Sequence, residues 1–300
     1  MKFSSGILLV LFIFVLSCQK SNKHSDLEAL QIKVSGVFST TEGDFAMAFK
    51  GLSEKGNELY INEREKFHAA STMKTPVMVE LYRQAAIGKF NLSDTINIRN
   101  EFRSIVDGSK YSLDIGDDSG EDLYQRIGEN TTIYELMYDM ITVSSNLATN
   151  ILIELVGANA VTSTLRGFGA NDIEVLRGVE DQKAYDLGLS NSTTAYDLMI
   201  ILEKIADGSA SSQQDCEEMI KILKAQKFNE IIPALLPDNV TVAHKTGVIT
   251  ALHHDSGIVY LPDGRSYVLV LLSKNLGDFD EGTTRLAEVS RMVYDYMINK

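Results

Sequence analysis

The sequence is short of positive charge, short of cysteine and short of long apolar runs. Lys and Arg total 28 against 41 Asp and Glu, a formal net charge of −13 over 300 residues. Phosphate backbones are bound by basic faces, so this balance argues against a nucleic-acid partner. Only Cys18 and Cys216 are available as thiols, which excludes a disulfide-stapled scaffold. The apolar run at the N-terminus, Ile7 to Leu16, has ten residues. That is too short for a comfortable membrane span and suits a secretory signal behind the basic Lys2. No internal repeat and no low-complexity tract is present, so a solenoid or a biased linker is excluded as well.

What remains is ordinary for a globular protein: 44% hydrophobic and 23% charged residues, with ample length for a core. The apolar run ends in Val15-Leu16-Ser17-Cys18, which resembles a bacterial lipobox. The resemblance implies a signal peptide over 1–17 and lipidation of Cys18, which becomes the mature N-terminus. Residues 18–26 then form a polar tether, followed by one domain over 27–300. Gln19 in place of Asp points to the outer membrane. The expectation is an exported periplasmic or cell-surface lipoprotein of a bacterium, held to the membrane by its lipid alone. Cys216 then stands alone, in a helical context, as a packing residue.

Local patterning assigns the elements. Leu27 to Val34 predicts a short amphipathic helix. Phe45–Phe49 and Glu58–Ile61 predict strands joined by a turn at Gly51, Gly56 and Asn57. Ser93 to about Pro237 reads as almost wholly helical. Thr132-x-x-Glu135 is a capping box before Ile133–Ile141. Further helices are expected over Leu147–Val156, Ala160–Arg166, Ala195–Ala206 behind Thr194, and Glu217–Ala225. Val240–Lys245, Ser256–Leu261 and Tyr267–Ser273 return to strand composition, with Arg285–Ile298 as a closing helix. The fold class is therefore α/β in the α+β, two-lobe sense. An antiparallel sheet comes from both chain termini (27–70 and 238–300), and a helical lobe (71–237) is inserted between. The acidic stretch Asp107–Asp122 lacks the ligand spacing of a calcium loop and reads as solvated. His244, His253, His254 and Asp255 lack zinc-ligand spacing, and His244 reads as scaffold. No metal and no cofactor is expected.

Three motifs carry chemistry. Ser71-Thr72-Met73-Lys74 places a hydroxyl and an amine on one face at a helix start. Serine needs a base within hydrogen-bond reach, and Lys serves only if its pKa is lowered. Pro76 fixes the helix start near Ser71, where free N–H groups favour an oxyanion. Ser144-Ser145-Asn146 falls between two helices. It is either a local cap or a proton-relaying hydroxyl with an orienting amide. Lys245-Thr246-Gly247 ends a strand. It is either a strand end with a turn glycine or a carboxylate-binding pair beside a residue that admits close approach.

In this order the three motifs match those of class A β-lactamases and penicillin-binding proteins. Over about 27–300 the chain resembles a class A β-lactamase-like serine hydrolase. The resemblance implies Ser71 as acylated nucleophile, Lys74 as its base and Ser144 as proton relay. Asn146 then contacts the substrate amide. Lys245 and Thr246 receive its carboxylate, Gly247 gives access, and the N–H groups of Ser71 and Val248 form the oxyanion hole. The implied substrate is a β-lactam or a peptidoglycan stem peptide, and the protein is expected to be a monomer. Two positions depart from the family. Ser145 replaces the usual Asp. The water-activating Glu is matched by Glu180, but Lys183-Ala184-Tyr185 stands where a supporting Asn belongs. Glu180 is thus either the base or a loop carboxylate paired with Arg177 or Lys183. Without that base, the implied alternatives are a D-Ala-D-Ala peptidase or a non-hydrolytic sensor of β-lactam or peptidoglycan.

Overall fold

The computed structural model describes residues 26–53 and 56–299. Cys18 and the signal and tether segments through residue 25 lie outside the described residues. Five strands form one antiparallel sheet: β1 (Asp44–Gly51), β2 (Glu58–Ile61), β3 (Thr241–Ile249), β4 (Leu252–Tyr260) and β5 (Ser266–Lys274). Their order is β2-β1-β5-β4-β3, so the N-terminal hairpin pairs with the C-terminal meander. β3 lies at an edge, and Lys245, Thr246 and Gly247 sit within it, opposite Ser256, Asp255 and His254.

Both faces of the sheet are covered, which explains why β1 and β5 read as apolar runs and not as alternation. Phe45, Met47, Phe49, Tyr267, Leu269 and Leu271 face one core. That core is closed by Leu30, Val34 and Phe38 of α1 (residues 26–40) and by Leu286, Val289 and Val293 of α9 (Phe279–Ile298). Ala46, Ala48, Val268, Val270 and Leu272 face the other core, with the helices of the inserted segment. The period of two along β1 and β5 thus divides the molecule into two apolar clusters. α1 runs six residues past the predicted Val34, because Phe38 continues its i, i+4 stripe.

The inserted segment contains α2 (Lys74–Ala86), α3 (Ile133–Thr142), α4 (Asn146–Val156), α5 (Ala158–Phe168), α6 (Gln182–Asp186), α7 (Ala195–Ala206) and α8 (Gln213–Lys224). The capping box at Thr132 forms with both of its bonds, and Thr194 caps α7 as the sequence predicts. α8 starts four residues before the predicted Glu217. Its own box, Ser212-x-x-Asp215, is the signal that was passed over.

The segment 93–237, almost wholly helical by its patterning, also contains short strands, one of which pairs with residues before it. Short antiparallel ladders pair Thr95–Asn97 with Asn130–Thr132, Phe102–Arg103 with Lys110–Tyr111, and Phe67–His68 with Ser192–Thr193. These pairs are two or three residues long, below the length at which a period shows. The solvated reading of Asp107–Asp122 also fails at one residue. Asp118 is 4% exposed although Asp117 and Ser119 on either side are exposed.

Candidate active site

Ser71 stands in a single 3-10 turn, Ala70–Met73, from which α2 continues. α2 is buried along nearly its whole length, so the turn is seated on the centre of the larger core. Gly247 of β3 crosses close behind it. A Cβ at that position would lie 3.1 Å from Ser71 N and 3.1 Å from Ala70 Cβ. Glycine is therefore what lets the edge strand approach the turn.

Lys74 is fully buried. Its Nζ donates to Ser144 O at 2.6 Å, to Asn146 Oδ1 at 2.8 Å and to Ser144 Oγ at 3.2 Å. Lys245, also fully buried, donates to the same Ser144 Oγ at 3.1 Å and to Thr246 O at 3.1 Å. One hydroxyl thus lies between two buried amines. Burial pulls the Lys74 pKa down to about 7 against the upward influence of Asp118 and Glu180. Burial also holds Lys245 well below its usual range, and the neighbouring Lys74 charge adds to the effect. Two ammoniums around one oxygen in a dry site repel each other, so the pair favours losing a proton.

Ser144 adopts φ +58°, a left-handed conformation disfavoured for a residue with a Cβ. It directly precedes α4, whose N-cap is Ser145, with Ala148 N donating to the Ser145 hydroxyl at 3.2 Å. Ala70 and Glu180 are also left-handed, with φ of 44° and 62°. Half of the six non-glycine residues of positive φ among those described therefore belong to this site. Such conformations persist where surrounding contacts over-determine them.

Asn146 joins the lysine centre to Glu180. Its Oδ1 accepts from Lys74, and its Nδ2 donates to Glu180 Oε1 at 2.8 Å. Burial pushes the Glu180 pKa up, and the Asn146 bond partly opposes that. Neither of the cations considered from sequence pairs with Glu180. Arg177 donates to Leu189 O and Gly178 O, and Lys183 pairs with Asp107 at 2.7 Å. Residues 176–191 form a loop held by two asparagines that the sequence reading passed over. Asn191 accepts from Leu176 N and Arg177 N and donates to Arg177 O. Asn150 clasps both backbone groups of Val179, at 2.6 and 3.0 Å. Asn150 is buried in α4 beside the buried Thr149, between Leu147-Ala148 and Ile151-Leu152-Ile153, and that polar pair in an apolar helix was the available signal.

The clefts on both sides of Ser71 share Ser71, Asn146 and Val248 as walls. One, of about 320 Å³, runs to Glu180, Gln182, Tyr185 and His68. The other, of about 400 Å³, runs past Ser144 and Thr246 to Glu230 and His253. Val248 is half exposed at the mouth, whereas Thr246 is buried beside Lys245. The structure therefore brings Ser71, Lys74, Ser144, Asn146, Glu180, Lys245, Thr246, Gly247 and Val248 to one place. Lys183 and Ala184 are not part of that wall: Lys183 turns outward to Asp107 and Ser109, and Ala184 is buried. The histidines of β3 and β4 serve the scaffold. His244 pairs with Asp255 at 2.9 Å, His253 bonds Thr283, and His254 donates to His68 O.

A sheet made from both termini, an inserted helical segment, and a serine beside a buried lysine of lowered pKa define a serine hydrolase of class A type. The model of the beta-lactamase enzyme family matches residues 29–297, and the chain belongs to that family. Among curated relatives, the extended-spectrum beta-lactamase PER-1 of Pseudomonas aeruginosa is 25% identical, over 81% of this chain and 79% of its own length. Among solved structures, the beta-lactamase of Sphaerobacter thermophilus superposes with a TM-score of 0.77. It is 26% identical, over 89% of this chain and 97% of its own. A mutant of PBP-A, solved as an acyl-enzyme complex with penicillin G, gives 0.77 and 25%, over 91% and 97%.

Proposed function

We propose that this protein opens the amide of a β-lactam through an acyl-Ser71 intermediate and then hydrolyses that ester. One observation carries the reading: a fully buried Lys74, its pKa drawn to about 7, beside a hydroxyl shared with Lys245. Neutral Lys74 takes the Ser71 hydroxyl proton as Oγ attacks the carbonyl carbon. The N–H groups of Ser71 and Val248 bind the oxyanion, a contribution that mutagenesis elsewhere puts at about 3–4 kcal/mol for one donor. As the C–N bond breaks, the proton passes from Lys74 through Ser144 to the leaving nitrogen. Lys245 and Thr246 receive the substrate carboxylate, and Asn146 orients its side-chain amide. Glu180 then takes a proton from water, which attacks the ester and returns the Ser71 hydroxyl.

A second reading is supported by Lys183 and Ala184. They leave Glu180 without the extra amide that would help hold a water, and the likeness to PBP-A points the same way. On that reading the acyl-enzyme is long-lived, and the natural substrate is a D-Ala-D-Ala stem peptide or a sensed ligand. Mixing the purified domain with a chromogenic cephalosporin, with turnover and intact mass followed together, separates the two. Many turnovers without accumulated adduct support hydrolysis. A stable adduct on Ser71 supports the second reading. Neither turnover nor adduct would contradict both.

The same proposal makes the protein an exported, Cys18-acylated bacterial lipoprotein that acts as a monomer without cofactor. It would confer β-lactam resistance on a susceptible host. Labelling with radioactive palmitate should depend on Cys18, and label retained in Cys18→Ser would refute the anchor. An unchanged inhibitory concentration on expression would refute the resistance role.

A further inference from the structure

A further side-chain cluster near the site centres on a residue that none of the three motifs contains. Asp118 comes from the acidic loop, 27 residues before Ser145. Its Oδ1 accepts from Asn146 N at 2.9 Å and from Gly120 N at 2.8 Å. Its Oδ2 accepts from Leu147 N at 2.8 Å, from the Tyr124 hydroxyl at 3.1 Å and from the Ser145 hydroxyl at 3.5 Å. Asn146 N and Leu147 N are the first two N–H groups of α4, which have no acceptor within the helix. A carboxylate there is favoured by the helix dipole as well as by the two bonds. The loop is shaped for this contact, since a Cβ on Gly120 would lie 2.5 Å from Ser145 Cβ.

The consequence is geometric. Ser144 is left-handed and presents both its carbonyl and its hydroxyl to Lys74, and Asn146 presents Oδ1 to the same amine. Ser145 caps α4 through Ala148 N but has no charge with which to fix the turn. We propose that Asp118 is a positioning residue of the acylating centre: its carboxylate holds the Ser144-Ser145-Asn146 turn against Lys74. This rests on the reading of Lys74 as the base for Ser71.

Asp118 also faces Lys74 electrostatically. The charged groups acting on Lys74 are Asp118 from the acidic loop, Glu180 from the 176–191 loop and Lys245 from β3. Glu180 is in turn faced by Asp118 and Asp117, and Tyr124 by Asp118, Glu180 and Asp114. Removing the Asp118 charge takes away one of the two carboxylates that favour the Lys74 ammonium. Lys74 then loses its proton at lower pH.

The test uses the purified domain, stopped-flow acylation by a chromogenic cephalosporin, and the wild type, Asp118→Asn and Asp118→Ala. Folding is checked by circular dichroism, and active sites are counted by intact mass. Per active site, Asp118→Ala should acylate about 10- to 100-fold more slowly, the scale set by misplacing a catalytic group by about 1 Å. Asp118→Asn, which keeps the shape and one acceptor oxygen, should fall between. In Asp118→Asn the rising limb of the acylation pH profile should move down by about half a pH unit or more. Ser145→Asp in the Asp118→Ala background puts a carboxylate at the N-cap of α4 and should recover part of the rate. If Asp118→Ala does not fold, Asp118→Asn carries the test through its pH limb. Unchanged acylation and an unmoved limb in folded variants would overturn the assignment. So would a loss of melting temperature with no loss of acylation per site. A wild type that forms no acyl-enzyme would instead defeat the reading of Lys74 and Ser71 on which this rests.

Discussion

The two halves of the candidate site are built differently. Ser71 sits in the 3-10 turn that leads into α2, Lys74 at the start of α2, Ser144 just before α4 and Lys245 on β3, with both lysines sealed from solvent. Glu180 sits half-buried on a loop, in a left-handed conformation, held by asparagine side chains reaching backbone groups. In the first half core packing fixes both lysines, and the Asp118 carboxylate ties the turn that faces them. The second is fixed by a few hydrogen bonds, each worth about 0.5–1.5 kcal/mol net. Acylation should therefore be the robust step and release the tunable one.

The largest effect should come from breaking the packed half. Lys74→Ala removes the proposed base, and acylation should fall by about 10²–10⁴-fold in stopped-flow measurements. A loss under tenfold would contradict the role of Lys74. Loosening the loop half should be smaller and confined to release. Asn191→Ala leaves Leu176 N and Arg177 N without their acceptor, a cost of about 1–3 kcal/mol. Release should slow several-fold and the melting temperature should drop, with acylation within about twofold. Acylation falling as far as release would show that the halves are not separable.

The pH dependence sharpens the same contrast. Acylation needs Lys74 without its proton, so its rate should rise as pH increases through about 7. On the proposed mechanism release needs Glu180 without its proton. Burial raises that pKa, so release should fail on acidification sooner than an ordinary carboxylate would allow. A pH-independent acylation rate from 5 to 9 would contradict the account of the first half. The smallest effect belongs to the outer tie of the loop. Lys183→Ala breaks an exposed ion pair with Asp107. Solvent and salt screen such exposed pairs, so release and melting temperature should scarcely move. A tenfold change in release would mean the surface tie governs the loop.

The same division explains what the sequence disclosed. Ser71, Lys74, Ser144 and Asn146 lie in short motifs at element boundaries that local patterning located, and Lys245 was placed on its strand, although it lies within that strand and not at its end. β5 read correctly because Val268 to Leu272 are buried on both faces, whereas β3 runs on to Ile249, four residues past the predicted end at Lys245, and β4 starts at Leu252, four before the predicted Ser256. The supports of the loop and of the 144–146 turn were not legible, since they act across the chain. Asn191 reaches Arg177, Asn150 reaches Val179, and Asp118 reaches Asn146. Asp118 in particular looks like its acidic neighbours, and only the folded loop distinguishes it. The short ladders at 95–97 and 102–103 were missed for a related reason. Two or three residues carry no period, and their pairing is decided by what lies opposite.

The separability of the halves is tested most directly in Glu180→Gln, by rapid quench and intact mass with a penicillin over a single turnover. The account expects acylation within a few-fold of wild type and release slowed by about 10²-fold or more, so that the Ser71 adduct accumulates to one per active site. Release at the wild-type rate would contradict it and remove Glu180 from the mechanism.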